Sequence, residues 1–196
     1  MKKVIIASNN QHKIAEMKVF FADIGISVAA PKEEGISFDV EETGTTFEQN
    51  AQLKSEALFK LSGIPSFADD SGICVKALDG RPGVYSARYG QSGMTDKQRA
   101  ELLVQEMQTQ TNRDAYYYCA ISYTTAEGSY HFSAQCDGYI TSDYDYEAEH
   151  GFGYDPIFYY PALQKRFSQV PTNEKNKISH RGLALEKFIQ FLKSSN

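Results

Sequence analysis

The distribution of apolar residues in the first thirty positions predicts two strands separated by a helix. Residues 4–8 and 26–30 form short apolar runs that are typical of buried strands. Between them, residues 11–21 place apolar side chains at the three- and four-residue intervals of one helix face. A strand, a helix and a second strand in this order form the βαβ unit of an α/β sheet.

Three more helices are predicted further along the chain. A threonine followed three residues later by a glutamine marks the starts of helices over residues 46–61 and 95–107. Residues 179–193 repeat apolar side chains at helical spacing, which predicts a last helix with one buried face.

A hairpin completes the predicted elements. Residues 115–123 and 129–139 are rich in β-branched and aromatic residues, and a Glu-Gly pair between them favours a turn. The order of elements predicts an α/β fold in which a mixed, twisted β-sheet is flanked by helices on both sides. The length of 196 residues suits one domain over residues 1–196, with or without two lobes.

Composition narrows the class of protein further. The net charge of −5 and the pI near 5.4 argue against a protein whose main task is to bind a nucleic-acid backbone. No apolar run is long enough to cross a membrane, and the short apolar start does not match a signal peptide. The three cysteines form no CxxC pair, so we expect reduced thiols in a cytoplasmic protein.

Two adjacent acids, Asp69 and Asp70, follow an apolar strand and precede Ser71 and Gly72. Buried carboxylates need a cation or polar partners, and a glycine lets the backbone turn tightly beside a ligand. The pattern therefore predicts a hard-metal or general-base site. Because successive strand residues face opposite sides, we expect only one of the two acids to point into it.

Two segments could hold phosphate or another anion. Residues 8–13 join the first strand to the first helix, where free N–H groups favour phosphate, although an asparagine-rich helix cap is the alternative. Ser179 is a good helix N-cap. His180 and Arg181 in the first turn oppose the helix dipole unless an anion binds, and Lys175 lies just before them. A solvated basic surface is the alternative.

Two other motifs could bind a nucleobase and a metal ion. Residues 151–156 alternate glycine with aromatic side chains, which could stack on a base, while Asp155 could accept hydrogen bonds from it. A tight turn with core aromatics is the alternative. Glu41 and Glu42 lie in a predicted loop and could bring a carboxylate to a metal held by Asp70, or could be solvated surface.

Five motifs occur together in a specific order. They are SNNxHKxxxE at residues 8–16, EETGTTFEQNAxLK at 41–54, ADDSGIxVxALxGxPGVYSARY at 68–89, GFGYDPIF at 151–158 and EKNKISHRGLAL at 174–185. Together they closely resemble the house-cleaning noncanonical purine nucleoside triphosphate pyrophosphatases, the inosine/xanthosine triphosphate pyrophosphatase family. The resemblance covers nearly the whole chain.

The resemblance implies an elongated mixed sheet in two lobes with a central cleft that holds the nucleotide. It also implies a homodimer, dependence on Mg²⁺, and hydrolysis of ITP, dITP and XTP to the monophosphate and pyrophosphate. It implies that Glu41 and Asp70 hold the metal and that Asp70 is the catalytic base. The implied substrate-binding residues are Ser8, Asn9, Asn10, Gln11, His12, Lys13, Lys54, Ser71, Phe152, Gly153, Tyr154, Asp155, Lys175, His180 and Arg181.

From these roles we expect Asp70 to take a proton from the water that attacks the α-phosphorus. Lys13, Lys54 and Lys175 would stabilise the departing pyrophosphate. The 6-amino group of adenine is a donor, so it would leave donors from His180, Arg181 or the backbone near Phe152 without an acceptor. We expect this loss to reject ATP.

The chain departs from the family pattern at Lys76, where an acid is common, and at residues 145–150, which replace a Pro/Arg/Gly-rich approach to the GFGYDP motif. Two other functions stay open from the sequence. One is a septum-inhibitor-type pyrophosphatase for modified pyrimidine nucleotides, which the SHR and GFGYDP motifs disfavour. The other is a non-catalytic nucleotide- or RNA-binding module, which the acidic pI disfavours.

Overall fold

The computed structural model describes residues 3–22 and 24–194, without the side chain of His12. Its strands are β1 (Lys3–Ile6), β2 (Ser27–Ala29), β3 (Ser66–Val75), β4 (Asp114–Thr125), β5 (Gly128–Ile140), β6 (Phe158–Tyr160) and β7 (Lys165–Arg166). Its α-helices are α1 (Gln11–Ala22), α2 (Phe47–Ser62), α3 (Asp96–Glu106), α4 (Thr172–Ile178) and α5 (His180–Ser194).

The strands form one mixed sheet in the order β2-β1-β3-β4-β5-β6-β7. β1 pairs in parallel with β2 and β3, which confirms the predicted βαβ start. β6 pairs antiparallel with β5 and β7. β4 and β5 are neighbours in the sheet and only two residues separate them, as the hairpin prediction requires. The α/β class and the mixed sheet are therefore confirmed.

The chain divides into two compact units. The first unit comprises Met1–Asp70, Cys119–Ser133 and Ala184–Asn196, and the second comprises Ser71–Tyr118 and Ala134–Leu183. In the first unit, the fully buried rings of Phe21, Phe67 and Phe188 have centroids 5.3 to 5.6 Å apart. In the second, Phe158 and Phe167 pack 4.9 Å apart in a larger apolar cluster.

Helix α2 carries two polar side chains toward β3. Its N-cap is Thr46, whose hydroxyl accepts the Gln49 N–H at 3.2 Å, and its C-cap is Gly63, in the left-handed region with φ 66°. Asn50 and Lys54 are four residues apart and therefore share one face of the helix. Both contact residues of β3, so the helix places a donor and a cation beside the aspartate pair.

Strand β3 corrects the role predicted for Gly72. The strand continues unbroken from Ser66 to Val75, so no turn occurs after the aspartates. A Cβ atom at Gly72 would lie 2.4 Å from Ser86 Oγ and 2.5 Å from the Gly83 carbonyl oxygen. Gly72 is therefore required for close approach of a neighbouring segment, and the prediction of a tight turn was wrong.

The C-terminal segment has two helices where one was predicted. α4 ends at Ile178, and Ser179 adopts an extended conformation with ψ 157° before α5 begins. The Ser179 hydroxyl accepts the Gly182 N–H at 3.2 Å, which confirms its predicted N-cap role. None of the described helices is long and apolar enough to cross a membrane.

Candidate active site

Charged side chains of the first unit form a group that we call the carboxylate–lysine cluster. Its members are Lys13, Glu42, Lys54, Asp69 and Asp70. Three carboxylates therefore accompany two lysines, and this excess of negative charge favours binding of a further cation.

The two aspartates of β3 have different lysine partners. Asp69 Oδ2 lies 2.9 Å from Lys13 Nζ, whereas Asp70 Oδ1 lies 3.8 Å from Lys54 Nζ. Lys54 also donates to the main-chain carbonyl of Asp69 at 2.9 Å and to Glu42 Oε1 at 2.7 Å. Because consecutive strand residues face opposite sides, the two carboxylates reach different lysines. That only one of them serves the site stays a prediction.

Asp70 is a buried carboxylate whose protonation is affected by its surroundings. Burial raises its pKa to about 6, although the charges of Lys54 and Lys13 act in the opposite direction. Asn50 donates to Asp70 Oδ2 at 3.1 Å and holds the side chain in place. A carboxylate with a pKa near neutrality can accept a proton from water more readily than an ordinary surface aspartate.

Lys54 remains a cation in this setting. Burial lowers its pKa, but the nearby charges of Asp70, Asp69 and Glu42 outweigh that effect and raise the pKa overall. Lys54 therefore supplies a permanent positive charge between two carboxylates.

The acid nearest to Lys54 is Glu42, whereas the sequence pointed to Glu41. Glu41 is exposed, while the half-buried Glu42 forms the 2.7 Å ion pair. Adjacent acids in a loop give no signal of which one will turn inward, and sequence reasoning also missed Asn50. The metal role of Glu41 stays a prediction.

Several polar groups of the loop before α1 form hydrogen bonds to other groups of the protein. Asn10 Oδ1 accepts the Lys13 N–H at 3.2 Å, and Ser8 Oγ accepts the Asn10 N–H at 3.1 Å. Asn9 donates to the Phe38 carbonyl at 3.0 Å, and the exposed Gln11 approaches the Asn9 carbonyl at 3.5 Å. The helix-cap alternative thus describes part of this loop, while phosphate binding stays a prediction.

The side chain of His12, which the sequence predicts to contact phosphate, lies outside the described part of the structure. Lys13 meets the carboxylates through its ion pair with Asp69.

The second unit contains a group that we call the aromatic–cation cluster. Its members are Tyr117, Phe152, Asp155, Lys175, His180 and Arg181. All of them except Phe152 are buried, and Phe152 is 37% exposed. Two permanent cations accompany one carboxylate, which is the reverse of the balance in the carboxylate–lysine cluster.

Asp155 is the centre of the aromatic–cation cluster. Its Oδ2 accepts hydrogen bonds from Lys175 Nζ at 2.8 Å and from the Phe152 N–H at 3.0 Å. Its Oδ1 accepts the Tyr117 hydroxyl at 3.2 Å. A buried carboxylate is tolerated when charged and neutral donors satisfy it in this way.

Two cations lie against the face of Phe152. Lys175 Nζ is 5.2 Å from the ring centroid, and the Arg181 guanidinium carbon is 5.8 Å from it. Arg181 also donates to Ser71 Oγ at 2.9 Å. The structure thus brings together Ser71, Phe152, Asp155, Lys175 and Arg181, which the sequence had placed in three separate motifs.

Two glycines permit the close packing around these side chains. Gly151 has φ 81°, and a Cβ there would lie 2.3 Å from Asp155 Oδ2. A Cβ at Gly182 would lie 1.7 Å from the Asn176 carbonyl oxygen, so only glycine fits immediately after Arg181.

Tyr154, which the resemblance implies to bind substrate, makes a contact within the protein, and Tyr117 was not singled out from the sequence. Tyr154 is buried and donates to the Ser86 carbonyl at 2.7 Å, so its contact anchors the loop in which Gly153 has φ 63°. Tyr117 was missed because it looks like any inward-facing aromatic residue of a strand. Only its contacts with Asp155 and His180 distinguish it.

The donor set is compatible with a hard metal that is shared with substrate. Within residues 3–22 and 24–194, no group of three or more His, Cys, Asp or Glu side chains is arranged to hold an ion. Mg²⁺ commonly uses one or two carboxylates and completes its shell with water and phosphate oxygens. Asp70 and Glu42, which already share the positive charge of Lys54, fit that smaller requirement.

Comparisons with known sequences agree with the motifs. The sequence profile of the Ham1 family matches residues 4–191. A dITP/XTP pyrophosphatase of Leptospira biflexa is 48% identical over 193 residues, which are 98% of each chain. A dITP/XTP pyrophosphatase of Staphylococcus aureus is 45% identical over 196 residues, which cover 98% of this chain and 97% of the relative.

Solved structures give the same result. The Ham1 protein of Staphylococcus aureus has a TM-score of 0.90 and 42% identity, and the match covers 100% of both chains. A HAM1 protein of Coxiella burnetii has a TM-score of 0.91 and 35% identity, with 99% of this chain and 100% of that protein covered.

Proposed function

Because this chain belongs to the Ham1 family, we propose that it hydrolyses noncanonical purine nucleoside triphosphates, namely ITP, dITP and XTP. The products are the nucleoside monophosphate and pyrophosphate, and the effect is to remove these nucleotides from the pool. The observation that carries the proposal is Asp70, a buried carboxylate with a pKa raised to about 6 by burial, beside Lys54 and Asn50.

Mg²⁺ is the proposed cofactor, and Asp70 with Glu41 would hold it. Glu42 is the second candidate because its carboxylate already faces Lys54. The excess of carboxylates over lysines in the carboxylate–lysine cluster supports a cation beside Asp70. When bound, the ion would neutralise phosphate charge and make a coordinated water more acidic.

Asp70 is the proposed base. Its carboxylate accepts the proton of the attacking water as the bond between the α-phosphorus and the bridging oxygen breaks. Lys13 and Lys54 offset the negative charge that gathers on the departing pyrophosphate. Asn50 keeps Asp70 Oδ2 in place, so that the other oxygen, Oδ1, is the one nearer to Lys54.

Lys175 has a different role in this proposal from the one expected from sequence. Its ammonium group is bonded to Asp155 at 2.8 Å and lies over the Phe152 ring. We therefore assign Lys175 to the nucleoside, together with Ser71, Phe152, Gly153 and Asp155, rather than to the pyrophosphate.

Base selection rests on His180 and Arg181. The Phe152 N–H already donates to Asp155, so the backbone donor that the sequence suggested is engaged within the protein. Hypoxanthine and xanthine carry a 6-oxo acceptor for these side chains, whereas adenine presents a donor. A buried donor without an acceptor costs roughly 1–3 kcal/mol, so ATP is rejected.

The family resemblance also supports a homodimer and a single functional domain. A cytoplasmic location is proposed because Cys74, Cys119 and Cys136 are all free and buried, as expected in a reducing compartment. Light scattering on the purified protein would test the dimer, since a mass close to 22.0 kDa would contradict it.

One substrate panel tests the proposed activity. ITP, dITP, XTP, GTP, ATP and dUTP are incubated with the protein, with and without Mg²⁺, and pyrophosphate and orthophosphate are measured separately. We expect pyrophosphate from the first three, only with Mg²⁺. Orthophosphate as the first product would contradict attack at the α-phosphorus, and preference for dUTP would favour a pyrimidine enzyme.

A further inference from the structure

Tyr117 connects two segments that lie far apart in sequence. From strand β4 its hydroxyl donates to Asp155 Oδ1 at 3.2 Å, across 38 residues of chain. Its ring stacks on the imidazole of His180, with centroids 4.6 Å apart and planes only 6° from parallel. One side chain thus contacts both the glycine–aromatic loop and the first residue of α5.

The surroundings of Tyr117 hold its ring in one position. Phe158 packs against it edge-on at 4.7 Å, and the Phe167 ring is nearly parallel to it at 5.9 Å. Burial, together with the neighbouring charge of Asp155, raises the pKa of Tyr117 well above its ordinary value. The hydroxyl therefore remains protonated and is a constant donor.

The Asp155 carboxylate transmits the position of this hydroxyl to Phe152. Asp155 Oδ2 accepts the Phe152 N–H, so the carboxylate orients the peptide that presents the half-exposed Phe152 ring. The same oxygen holds Lys175, which lies against that ring. The Tyr117 hydroxyl is the third donor to Asp155. Its loss would let the carboxylate rotate and would change the contacts of Asp155 with the Phe152 N–H and with Lys175.

We propose that Tyr117 is a positioning residue for the nucleobase. Its hydroxyl orients Asp155 and, through it, the Phe152 loop, while its ring orients the imidazole of His180. The identity of the ligand as a 6-oxopurine rests on the proposed function, whereas the orientation of the two protein segments does not. Tyr117 itself need not touch the substrate.

The test separates the hydroxyl from the ring. Tyr117→Phe keeps the stacking on His180 and removes the hydrogen bond, and Tyr117→Leu removes both. Tyr123→Phe is the matched control, since Tyr123 is another buried tyrosine of β4 and belongs to the first unit. Measurements are kcat and KM for ITP with Mg²⁺, the Kd of IMP, inhibition by pyrophosphate, and thermal unfolding.

For Tyr117→Phe we expect the KM for ITP and the Kd of IMP to rise roughly tenfold. The kcat and the inhibition by pyrophosphate should stay near wild type, because pyrophosphate lacks the base. Tyr117→Leu should show the larger loss, and Tyr123→Phe should change none of these. A Tyr117→Phe variant that binds IMP as wild type does, or that loses kcat with KM unchanged, overturns the proposal.

A second measurement is independent of turnover. In ¹H–¹⁵N spectra without nucleotide, Tyr117→Phe should shift the Phe152 amide resonance, whereas Tyr123→Phe should not. An unmoved Phe152 amide overturns the positioning role even if ITP is hydrolysed. If wild type releases no pyrophosphate from ITP, the proposed function fails, and the amide shift still decides whether Tyr117 orients the loop.

Discussion

The carboxylate–lysine cluster and the aromatic–cation cluster have opposite charge balances. The first has three carboxylates with two lysines, and the second has one carboxylate with two permanent cations. The first can accept a metal ion together with the phosphates that the ion neutralises. The second can bind an electron-rich partner such as an oxopurine. Under the proposed function, the charge balance of the first cluster suits a triphosphate with its metal ion, and that of the second suits a nucleobase.

The clusters also differ in what holds them together. In the carboxylate–lysine cluster the side chains meet mainly as ion pairs, and Asp70 has a pKa raised to about 6 by burial. In the aromatic–cation cluster, Asp155 has three donors and the rings stack. Substitutions should therefore affect chemistry in the first cluster and, in the second, structure or binding of the base.

The largest expected effect is on turnover in the carboxylate–lysine cluster. Asp70→Asn should lower kcat for ITP by about 10²–10⁴-fold, because the base is removed while the shape is kept. Thermal unfolding should show a folded protein. The matched control is Asp114→Asn, at an exposed aspartate paired with Lys76. Near-native turnover by Asp70→Asn would show that this cluster does not contain the base.

The next largest effect is on stability in the aromatic–cation cluster. Asp155→Ala should lower the free energy of unfolding by roughly 3–5 kcal/mol, because Lys175 would be left as a buried charge without its carboxylate. Urea unfolding measures this loss. Asp114→Ala, which breaks the exposed ion pair with Lys76, should cost below about 1 kcal/mol. Equal losses of unfolding free energy in Asp155→Ala and Asp114→Ala would show that the buried ion pair is no more important for stability than the exposed one.

The pH dependence of stability should report on Asp70 in metal-free protein. Its folded pKa of about 6 exceeds the ordinary value of 3.8, so its contribution is fully present below pH 3.8 and is lost as the pH rises through 6. The loss amounts to about 2–3 kcal/mol. Urea unfolding from pH 4 to 7 should show this slope in wild type and lack it in Asp70→Asn. Identical slopes would contradict the raised pKa.

The smallest expected effect distinguishes the two loop acids. Glu41→Gln should raise the Mg²⁺ concentration for half-maximal activity roughly tenfold if Glu41 is a ligand. Glu42→Gln should instead alter the KM for ITP, because it breaks the ion pair with Lys54. Titration of activity with Mg²⁺ after treatment with a chelator measures both. A raised Mg²⁺ requirement in Glu42→Gln alone would transfer the metal role to Glu42.

The parts of the fold that depend on local spacing could be predicted. The caps at Thr46 and Thr95 are present, and the starts of α2 and α3 follow them. Helix α4 was not predicted, whereas the start of α5 follows the predicted N-cap at Ser179. The role of Gly72 was misjudged because Ser86 and Gly83 approach it from another segment of the chain, which local spacing does not show.

The sequence by itself determined the βαβ start, the hairpin, helices α2, α3 and α5, the family, and the motifs that carry the acids, the lysines and the aromatic residues. Periodicity, capping and turn residues act over a few positions, so they can be read from the chain alone. Only the tertiary structure decided which side chains are partners. It paired Asp69 with Lys13 and Asp70 with Lys54, and it brought Tyr117 to Asp155. These pairings depend on sheet register and helix packing, which bring distant residues within hydrogen-bonding range.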